Sequence, residues 1–245
     1  MTSPTLSVQL YSVREAIAAD LRSALERVAE LGFRQVELFG FADRAEEYAA
    51  LLPQLGLTAP SAHGAILGED SRRTFAAARR IGVGTVLLPW VEPERWADEA
   101  AAVALAEELN GVVQSAADHG LRVGYHNHDF EFAAGTGPFD AFVERLDERA
   151  VLEIDTYWVA VAGQDPAELL RRLGDRVALI HVKDGPLDGG TAAQLPAGQG
   201  SVDVPGILAA APDALRVVEF DDYSGDVFDG LRQSVEFLTG RGEAL

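Results

Sequence analysis

The stretch VLEIDTYWVAVAGQDPAELLRRLGDRVALIHVKD, residues 151–184, contains one complete repeat of the pattern that decides the fold. It opens with a short apolar run at 151–156, continues through a segment at 166–173 whose leucines recur at helical spacing, and ends on a second apolar run at 177–183. Runs of this length are typical of buried parallel strands, and the segment between them is long enough for a crossover helix. The stretch therefore predicts a strand–helix–strand unit with parallel strands.

The same alternation extends along the chain in both directions. Strands are predicted at 6–11, 35–39, 57–63, 85–88, 122–128, 151–156, 177–183 and 215–221. Helices are predicted at 20–31, 43–52, 69–80, 93–119, 138–146, 166–173, 205–211 and 227–238, with Pro53 ending the second and Asp203 capping the seventh. Eight strand–helix units of about 31 residues close naturally, so we expect one α/β domain over residues 1–245, a (β/α)8 TIM barrel.

An open doubly wound sheet is the alternative arrangement of alternating strands and helices. That fold opens with a glycine-rich phosphate turn after its first strand. Here the first strand runs into Tyr11-Ser-Val-Arg-Glu15, which contains no glycine, so the barrel is favoured. A loop at 185–200, rich in glycine, proline and alanine, follows the seventh strand, where barrels place active-site loops. Its sequence fits a mobile flap and a passive connection equally well.

The composition excludes several classes of site and partner. The chain has no cysteine, which excludes disulfides, thiolate metal sites and cysteine nucleophiles. Its net charge of −19 repels phosphate backbones, so we expect no nucleic-acid partner. No window approaches the roughly 20 apolar residues that a membrane span requires, so we expect a protein of the reducing cytoplasm without membrane contact. The composition leaves open whether the protein forms homo-oligomers.

Polar residues recur at the carboxyl ends of the predicted strands, on the face opposite the apolar residues. Successive residues of a barrel strand face alternately the helices and the barrel interior. Apolar residues identify the positions that face the helices, so the residues between them point into the barrel. The inward set is Glu37, His63, His126, His128, Glu153, Asp155, His181, Lys183, Glu219 and Asp221. Buried charges of this kind are costly unless they are paired or bound to a metal. Because barrel enzymes carry their active sites at the carboxyl ends of the strands, the sequence predicts a functional site at this mouth.

The residue types of this set suit a divalent cation. Imidazole and carboxylate without thiolate fit Mn²⁺, Co²⁺, Fe²⁺, Zn²⁺ or Mg²⁺. The ligands that we expect come from four successive strands: His126, Asp155, His181 and Glu219. His128, two residues beyond His126 on the same face, is the alternative ligand of the fifth strand. A serine-hydrolase site is excluded because no Gly-x-Ser-x-Gly elbow follows a strand.

Several motifs stand in a recognisable order on successive units. They are Ser7-Val-Gln-Leu-Tyr-Ser-Val-Arg14, Leu31-Gly-Phe-Arg-Gln-Val-Glu-Leu38, Tyr125-His-Asn-His-Asp-Phe-Glu-Phe132, Ile154-Asp-Thr156, His181-Val-Lys-Asp184, Gly198-Gln-Gly-Ser-Val-Asp203 and Val218-Glu-Phe220. In this order the chain resembles the xylose-isomerase-like barrel superfamily of sugar isomerases, sugar epimerases and inosose dehydratases. The DNA-repair endonucleases of that superfamily are a poor match, because they need a basic DNA-binding face.

The resemblance supports three of the four expected ligands. Ketose epimerases of the superfamily hold their metal with Glu, Asp, His and Glu on strands five to eight, and the last three match Asp155, His181 and Glu219. His126 stands where the first glutamate is usual, and Trp158 stands near where epimerases carry a substrate-binding histidine. Two imidazoles with two carboxylates shift the expected preference from Mg²⁺ toward Mn²⁺, Co²⁺ or Zn²⁺, with Mn²⁺ or Zn²⁺ favoured.

The resemblance implies a metal-dependent isomerase or epimerase of a ketose or related polyol, acting through an enediolate. Glu219 would be both a ligand and the proton-transfer base, and Lys183 would polarise a substrate oxygen or hold a carboxylate. The expected substrate contacts are Glu37, His63, His128, Trp90 and Trp158. A neutral sugar is favoured over a sugar phosphate, because Lys183 and Arg14 offer little positive charge for a phosphate clamp.

Two alternatives remain open from the sequence. A lyase that dehydrates a keto-cyclitol, or eliminates from a 3-keto-sugar, needs only one base and one acid, and the missing glutamate on strand five favours it. A carbohydrate-binding barrel without catalysis is the third possibility, since fold alone does not fix function.

Overall fold

Eight short strands pair in chain order, and the first pairs with the last to close a parallel barrel, which confirms the predicted fold class. A computed structural model describes residues 5–245, apart from the side chain of Asp70. The strands are β1 (Leu6–Gln9), β2 (Gln35–Leu38), β3 (Thr58–His63), β4 (Thr85–Leu88), β5 (Arg122–His126), β6 (Val151–Asp155), β7 (Val177–Val182) and β8 (Leu215–Val218).

Helices surround this barrel. In the described part of the chain they are α1 (Arg14–Ala19), α2 (Leu21–Glu30), α3 (Ala45–Gln54), α4 (Ser71–Ile81), α5 (Glu99–Asp118), α6 (Gly137–Arg145), α7 (Thr156–Val161), α8 (Pro166–Leu173), α9 (Val204–Ala210) and α10 (Val227–Thr239). None of them is both long and apolar enough to cross a membrane.

Aspartates fix where many of these helices begin. Asp203, predicted as an N-cap, accepts the backbone N–H of Gly206 at the start of α9. α8 has the predicted bounds, because Asp165 caps it and Pro166 occupies its first position, where the missing N–H costs nothing. An N-cap of this kind stabilises a helix by about 1 kcal/mol relative to alanine.

Two helical predictions needed correction, and two short helices were not predicted. The predicted helix at 93–119 is interrupted: a 3-10 turn spans Pro93–Trp96, and extended Asp98 then caps α5. Pro53 lies inside the last turn of α3 instead of ending the helix before it, since only one backbone donor is lost there. The six-residue helices α1 and α7 were not predicted, because fewer than two turns give no helical periodicity to recognise.

An apolar layer closes the barrel below its polar residues. Leu87, Val151, Leu179 and Val217 form a buried cluster separate from the core between sheet and helices. Gly124 lies beside this cluster. A Cβ there would lie 2.1 Å from the carbonyl oxygen of Val151, so the position has no room for a side chain. Gly124, Val151, Leu179 and Val217 precede polar positions along their strands, so on β5–β8 the barrel interior is apolar at the amino end and polar at the carboxyl end.

A single carboxylate organises the loop after β7. Both oxygens of buried Asp184 accept backbone N–H groups, from Gly185, Gly198, Gly200 and Val202, at 2.8–3.1 Å. Gly200 passes so close that a Cβ there would lie 2.1 Å from an Asp184 oxygen. The ends of the loop are therefore held together over the barrel mouth.

Candidate active site

The inward polar residues converge at the carboxyl end of the barrel. Buried members come from five elements: Glu37 on β2, His126 on β5, Glu153 and Asp155 on β6, His181 on β7, and Lys183 and Glu219 directly after β7 and β8. His63, the last residue of β3, is 11% exposed at its side chain. The four ligands expected from the sequence thus lie in one cluster.

Asp155, His181 and Glu219 form the outer group of this cluster. The Nδ1 atom of His181 lies 2.7 Å from Glu219 Oε2 and 3.8 Å from Asp155 Oδ2. His126 approaches one member of this group, with its Nε2 atom 3.9 Å from Asp155 Oδ2. The other Asp155 oxygen accepts two backbone N–H groups at the start of α7, which fixes the carboxylate in place.

Lys183 supplies a buried positive charge to the outer group. Its Nζ atom lies 2.8 Å from Asp155 Oδ2, 2.6 Å from Glu219 Oε2 and 2.8 Å from Asp221 Oδ2. Burial by itself would lower the pKa of Lys183, but these three carboxylates outweigh burial and hold the pKa well above its usual value. Lys183 is therefore a permanent cation between the carboxylates.

Two carboxylates of the outer group differ in their proton affinity. Burial raises the pKa of Asp155 to about 6, although Lys183 and His181 oppose this effect. Burial also acts to raise the pKa of Glu219, but Lys183 and His181 hold it well below its usual range. Glu219 is therefore ionised throughout the physiological range, as a proton acceptor must be.

Glu37 and Glu153 form an inner group with three histidines, one level deeper in the barrel. Glu153 Oε2 lies 2.6 Å from His63 Nε2, 3.1 Å from His126 Nδ1 and 3.3 Å from His181 Nε2. Glu37 Oε1 lies 2.8 Å from His181 Nε2 and 3.2 Å from His63 Nε2. Burial would lower the pKa of His63, but Glu37 and Glu153 outweigh it and raise this pKa to about 10. Burial and the charge of His181 lower the pKa of His126.

A cavity of about 580 Å³ opens above the cluster. Its lining is mixed. Aromatic members are Tyr11, Phe39 and half-exposed Trp90, and polar members include His63, His126, His128, Glu219 and Asp221. The volume lies in the range of small-molecule sites, and mixed walls of this kind suit a ligand with both C–H faces and hydroxyl groups.

Four of the predicted substrate contacts differ in whether they line the cavity, which the sequence did not show. Trp90 and His128 line the cavity. Trp158 is buried behind His128, with ring centroids 6.5 Å apart. Glu37 has no exposed surface and reaches His63 and His181 instead of the cavity.

The loop after β5 fixes His128. The backbone N–H of His128 donates to Glu131 Oε2 at 2.8 Å, and the Tyr125 hydroxyl donates to Glu131 Oε1 at 2.7 Å. Burial, with the charge of Lys183, lowers the pKa of His128 to about 4. His128 is therefore a neutral imidazole at the cavity wall near neutral pH.

Glu153 and Asp221 were placed in the inward set without a role, and Gln194 was missed altogether. Glu153 and Asp221 have the inward parity, which was the available signal for both. Gln194 donates to Asp221 Oδ2 at 2.7 Å and accepts the Asp221 backbone N–H at 2.8 Å. It comes from an irregular loop, where no periodicity shows which side chain turns inward.

The outer group fits a divalent metal. Asp155, His181 and Glu219 each offer one buried donor atom, and these atoms lie within 4.8 Å of one another. His126 is not one of these three: its Nε2 atom lies 3.9 Å from Asp155 Oδ2, and its donor atom belongs to a second set within 4.8 Å, formed with His63, Glu153 and His181. Nitrogen and oxygen donors in this combination suit Mn²⁺, Co²⁺, Fe²⁺ or Zn²⁺.

The chain is similar in sequence to curated relatives over a limited segment. An inosose dehydratase from Clostridium botulinum is 35% identical over 81 residues, which make up 33% of this chain and 27% of that protein. The match thus spans about a quarter of the length of that relative.

Similarity to solved structures extends over the whole barrel. A sugar phosphate isomerase/epimerase from Parabacteroides distasonis has a TM-score of 0.79 at 23% identity, covering 97% of this chain and 94% of the other. The IolI protein, solved with a bound zinc atom, has a TM-score of 0.74 at 13% identity, covering 96% and 97%.

A family profile settles what this barrel is related to, and it agrees with the resemblance read from the motifs. The profile of the xylose isomerase-like TIM barrel matches residues 25–239, which is most of the chain. The chain therefore belongs to the xylose isomerase-like TIM barrel family.

Proposed function

We propose that this protein is a divalent-metal-dependent enzyme that moves a proton at the carbon next to the carbonyl of a ketose or related polyol, and so isomerises or epimerises it. The observation that carries the proposal is the convergence of Asp155, His181 and Glu219 at a cavity that Glu219 lines and whose lining is both aromatic and polar. Burying several carboxylates and imidazoles costs folding free energy. A bound cation that serves catalysis would account for their presence.

Asp155, His181 and Glu219 would hold the metal, with His126 as the fourth ligand. When bound, the metal supplies positive charge that acidifies the C–H group beside a carbonyl and stabilises the enediolate. The formal charges of this set would cancel, because two ionised carboxylates carry −2 and the divalent ion carries +2.

Glu219 is the proton-transfer base in this proposal. It lines the cavity, and Lys183 and His181 keep it ionised. His63 lines the same cavity as an imidazolium and can donate to a substrate oxygen or return a proton. Neutral His128 accepts hydrogen bonds from substrate hydroxyls at the wall.

A neutral sugar is the proposed substrate class. Lys183 is engaged by three carboxylates below the cavity, and Arg14 donates to the Tyr11 carbonyl outside it. Arg73 lines the cavity but is paired with Asp43. These cations are all engaged by groups of the protein, which supports a free sugar over a sugar phosphate.

A metal-dependent lyase acting on a keto-cyclitol or 3-keto-sugar is the second candidate. The segment shared with inosose dehydratases favours it, as does His126 in place of a second carboxylate base. An elimination needs one base and one acid, and Glu219 and His63 supply that pair at the cavity.

Turnover with and without metal tests the proposal. Protein stripped with a chelator and then reloaded with Mn²⁺, Co²⁺ or Zn²⁺ is offered a panel of ketoses and inososes. We expect turnover only after reloading. Interconversion of sugars supports the isomerase, whereas an enone or dione product identifies the lyase. Unchanged turnover by the stripped protein, or tight sugar binding without any reaction, would contradict both.

A further inference from the structure

We propose that Glu37 and Glu153 are positioning residues of the metal centre, each holding one ligand imidazole by its far nitrogen. Glu37 would orient His181, and Glu153 would orient His126, so that both rings present their other nitrogen to Asp155. This inference rests on the metal site of the proposed function. It gives Glu37 a different role from the substrate contact expected from the sequence.

The arrangement around His181 is the first support. Its Nε2 atom lies 2.8 Å from Glu37 Oε1, and its Nδ1 atom lies 2.7 Å from Glu219 Oε2. Glu219 lines the cavity, whereas Glu37 has no exposed surface, so Nδ1 is the nitrogen on the metal side. Gln9 Nε2 donates to the same Glu37 oxygen at 2.8 Å, which fixes the carboxylate from behind.

The arrangement around His126 repeats this pattern. Its Nδ1 atom lies 3.1 Å from Glu153 Oε2, and its Nε2 atom lies 3.9 Å from Asp155 Oδ2. His126 Nδ1 makes no hydrogen bond in the described structure, and Glu153 Oε2 is the carboxylate oxygen beside it. An ionised carboxylate only accepts, so this neighbour favours the ring hydrogen on Nδ1 and leaves Nε2 for the metal.

His128 lacks an equivalent arrangement. Its Nδ1 atom is 4.0 Å from Glu131 Oε1, and Glu131 is occupied by the His128 backbone and by Tyr125. The two inner carboxylates therefore assign His126, and not His128, as the ligand of β5.

His63 explains how two buried carboxylates can lie so close together. Its Nε2 atom contacts Glu153 at 2.6 Å and Glu37 at 3.2 Å, so one imidazole separates the two negative groups. Its ring is stacked on that of His181 at a centroid distance of 5.4 Å and an interplanar angle of 4°. The three imidazoles and two carboxylates thus hold one another in a fixed arrangement beneath the outer group.

Metal affinity in matched variants tests the inference. Glu37→Gln and Glu153→Gln keep the size of the side chain but weaken the acceptor, and each is expected to weaken Co²⁺ and Mn²⁺ binding about 10–100-fold. Glu131→Gln is the control, since it replaces a buried carboxyl group whose hydrogen bonds go to Tyr125 and to the His128 backbone and not to His126 or His181. It should change the Kd less than about threefold. Dissociation constants come from calorimetric titration of metal-free protein, with thermal unfolding of that protein confirming the fold.

The outcomes separate this inference from the proposed function. A changed Co²⁺ absorption spectrum in both Gln variants, with unchanged metal-free unfolding, supports positioning over a purely structural role. Unchanged affinity in both, or a loss confined to Glu131→Gln, overturns the inference while the metal site stands. Wild-type protein that binds no divalent metal overturns both. If Glu153→Gln does not fold, Glu37→Gln decides, because His181 is the one proposed ligand that Glu37 touches.

Discussion

In the proposed metal site, Lys183 would compete with the metal for the same oxygens. Its ammonium contacts Asp155 Oδ2 and Glu219 Oε2, two of the proposed donor atoms. Replacing Lys183 with methionine removes a positive charge a few ångströms from the site, where like charges repel by several kcal/mol at an effective dielectric of about 20. We therefore expect Lys183→Met to bind Mn²⁺ at least about tenfold more tightly by calorimetric titration, and to be less stable without metal. Equal or weaker Mn²⁺ binding would contradict this view of Lys183.

Glu219 is the second residue whose role can be measured directly. Glu219→Gln keeps a donor oxygen but removes the proton acceptor, so proton transfer should fall about 100-fold or more. Circular dichroism should show an intact barrel, because Gln can retain the contact with His181. Substantial exchange of a substrate proton by this variant would assign the base to another residue.

The alternation of apolar and polar residues predicted which side chains of the candidate site point into the barrel, but not how deep each one lies. Every inward residue of β5–β8 was identified by its opposition to an apolar neighbour. Parity does not distinguish Glu37 and Glu153, which lie below the cavity, from Glu219, which lines it. That difference depends on the stagger of neighbouring strands, which a single sequence does not encode locally.

At the scale of elements, strands and long helices were predictable because burial imposes a period on their sequences. The predicted strand at 215–221 is shorter in the structure, ending at Val218, since the chain leaves the sheet where Glu219 turns to the site. The loop after β7 was not predictable, because Asp184 and its glycine contacts follow no period. Gln194 reaches Asp221 only because that loop folds back over the mouth.

Asp184 is expected to hold this loop closed. Asp184→Ala would leave four backbone N–H groups without their acceptor, at about 1 kcal/mol for each lost hydrogen bond. Limited proteolysis should then cut at 185–203 much faster than in the wild type. Asp188→Ala is the matched control, an exposed aspartate of the same loop that accepts only the Gly190 N–H. Equal cleavage of both variants would show that Asp184 does not organise the loop.

For the molecule as a whole, the buried carboxyl of Glu131 is one of the groups that make stability depend on pH. Burial raises the pKa of Glu131 from 4.5 to about 8. Between these values the folded protein keeps a proton that the unfolded chain releases, so the stabilising contribution is complete below pH 4.5 and is lost as pH rises to 8. Glu131→Gln should flatten the fall in unfolding free energy between pH 5 and 8, measured by urea titration, whereas exposed Glu148→Gln should not. The same slope in both variants would contradict the assignment.

Deuterium incorporation from solvent reports directly whether the protein moves a substrate proton with the help of a metal. D-Fructose and an inosose are incubated in D₂O with the metal-loaded protein, with the chelator-stripped protein and with Glu219→Gln, and the carbon next to the carbonyl is followed by NMR. A metal-dependent proton transfer predicts deuterium at that carbon of at least one substrate, or in its elimination product, with the loaded wild type alone. Equal incorporation by the stripped protein, or none by the loaded protein on either substrate, would contradict it.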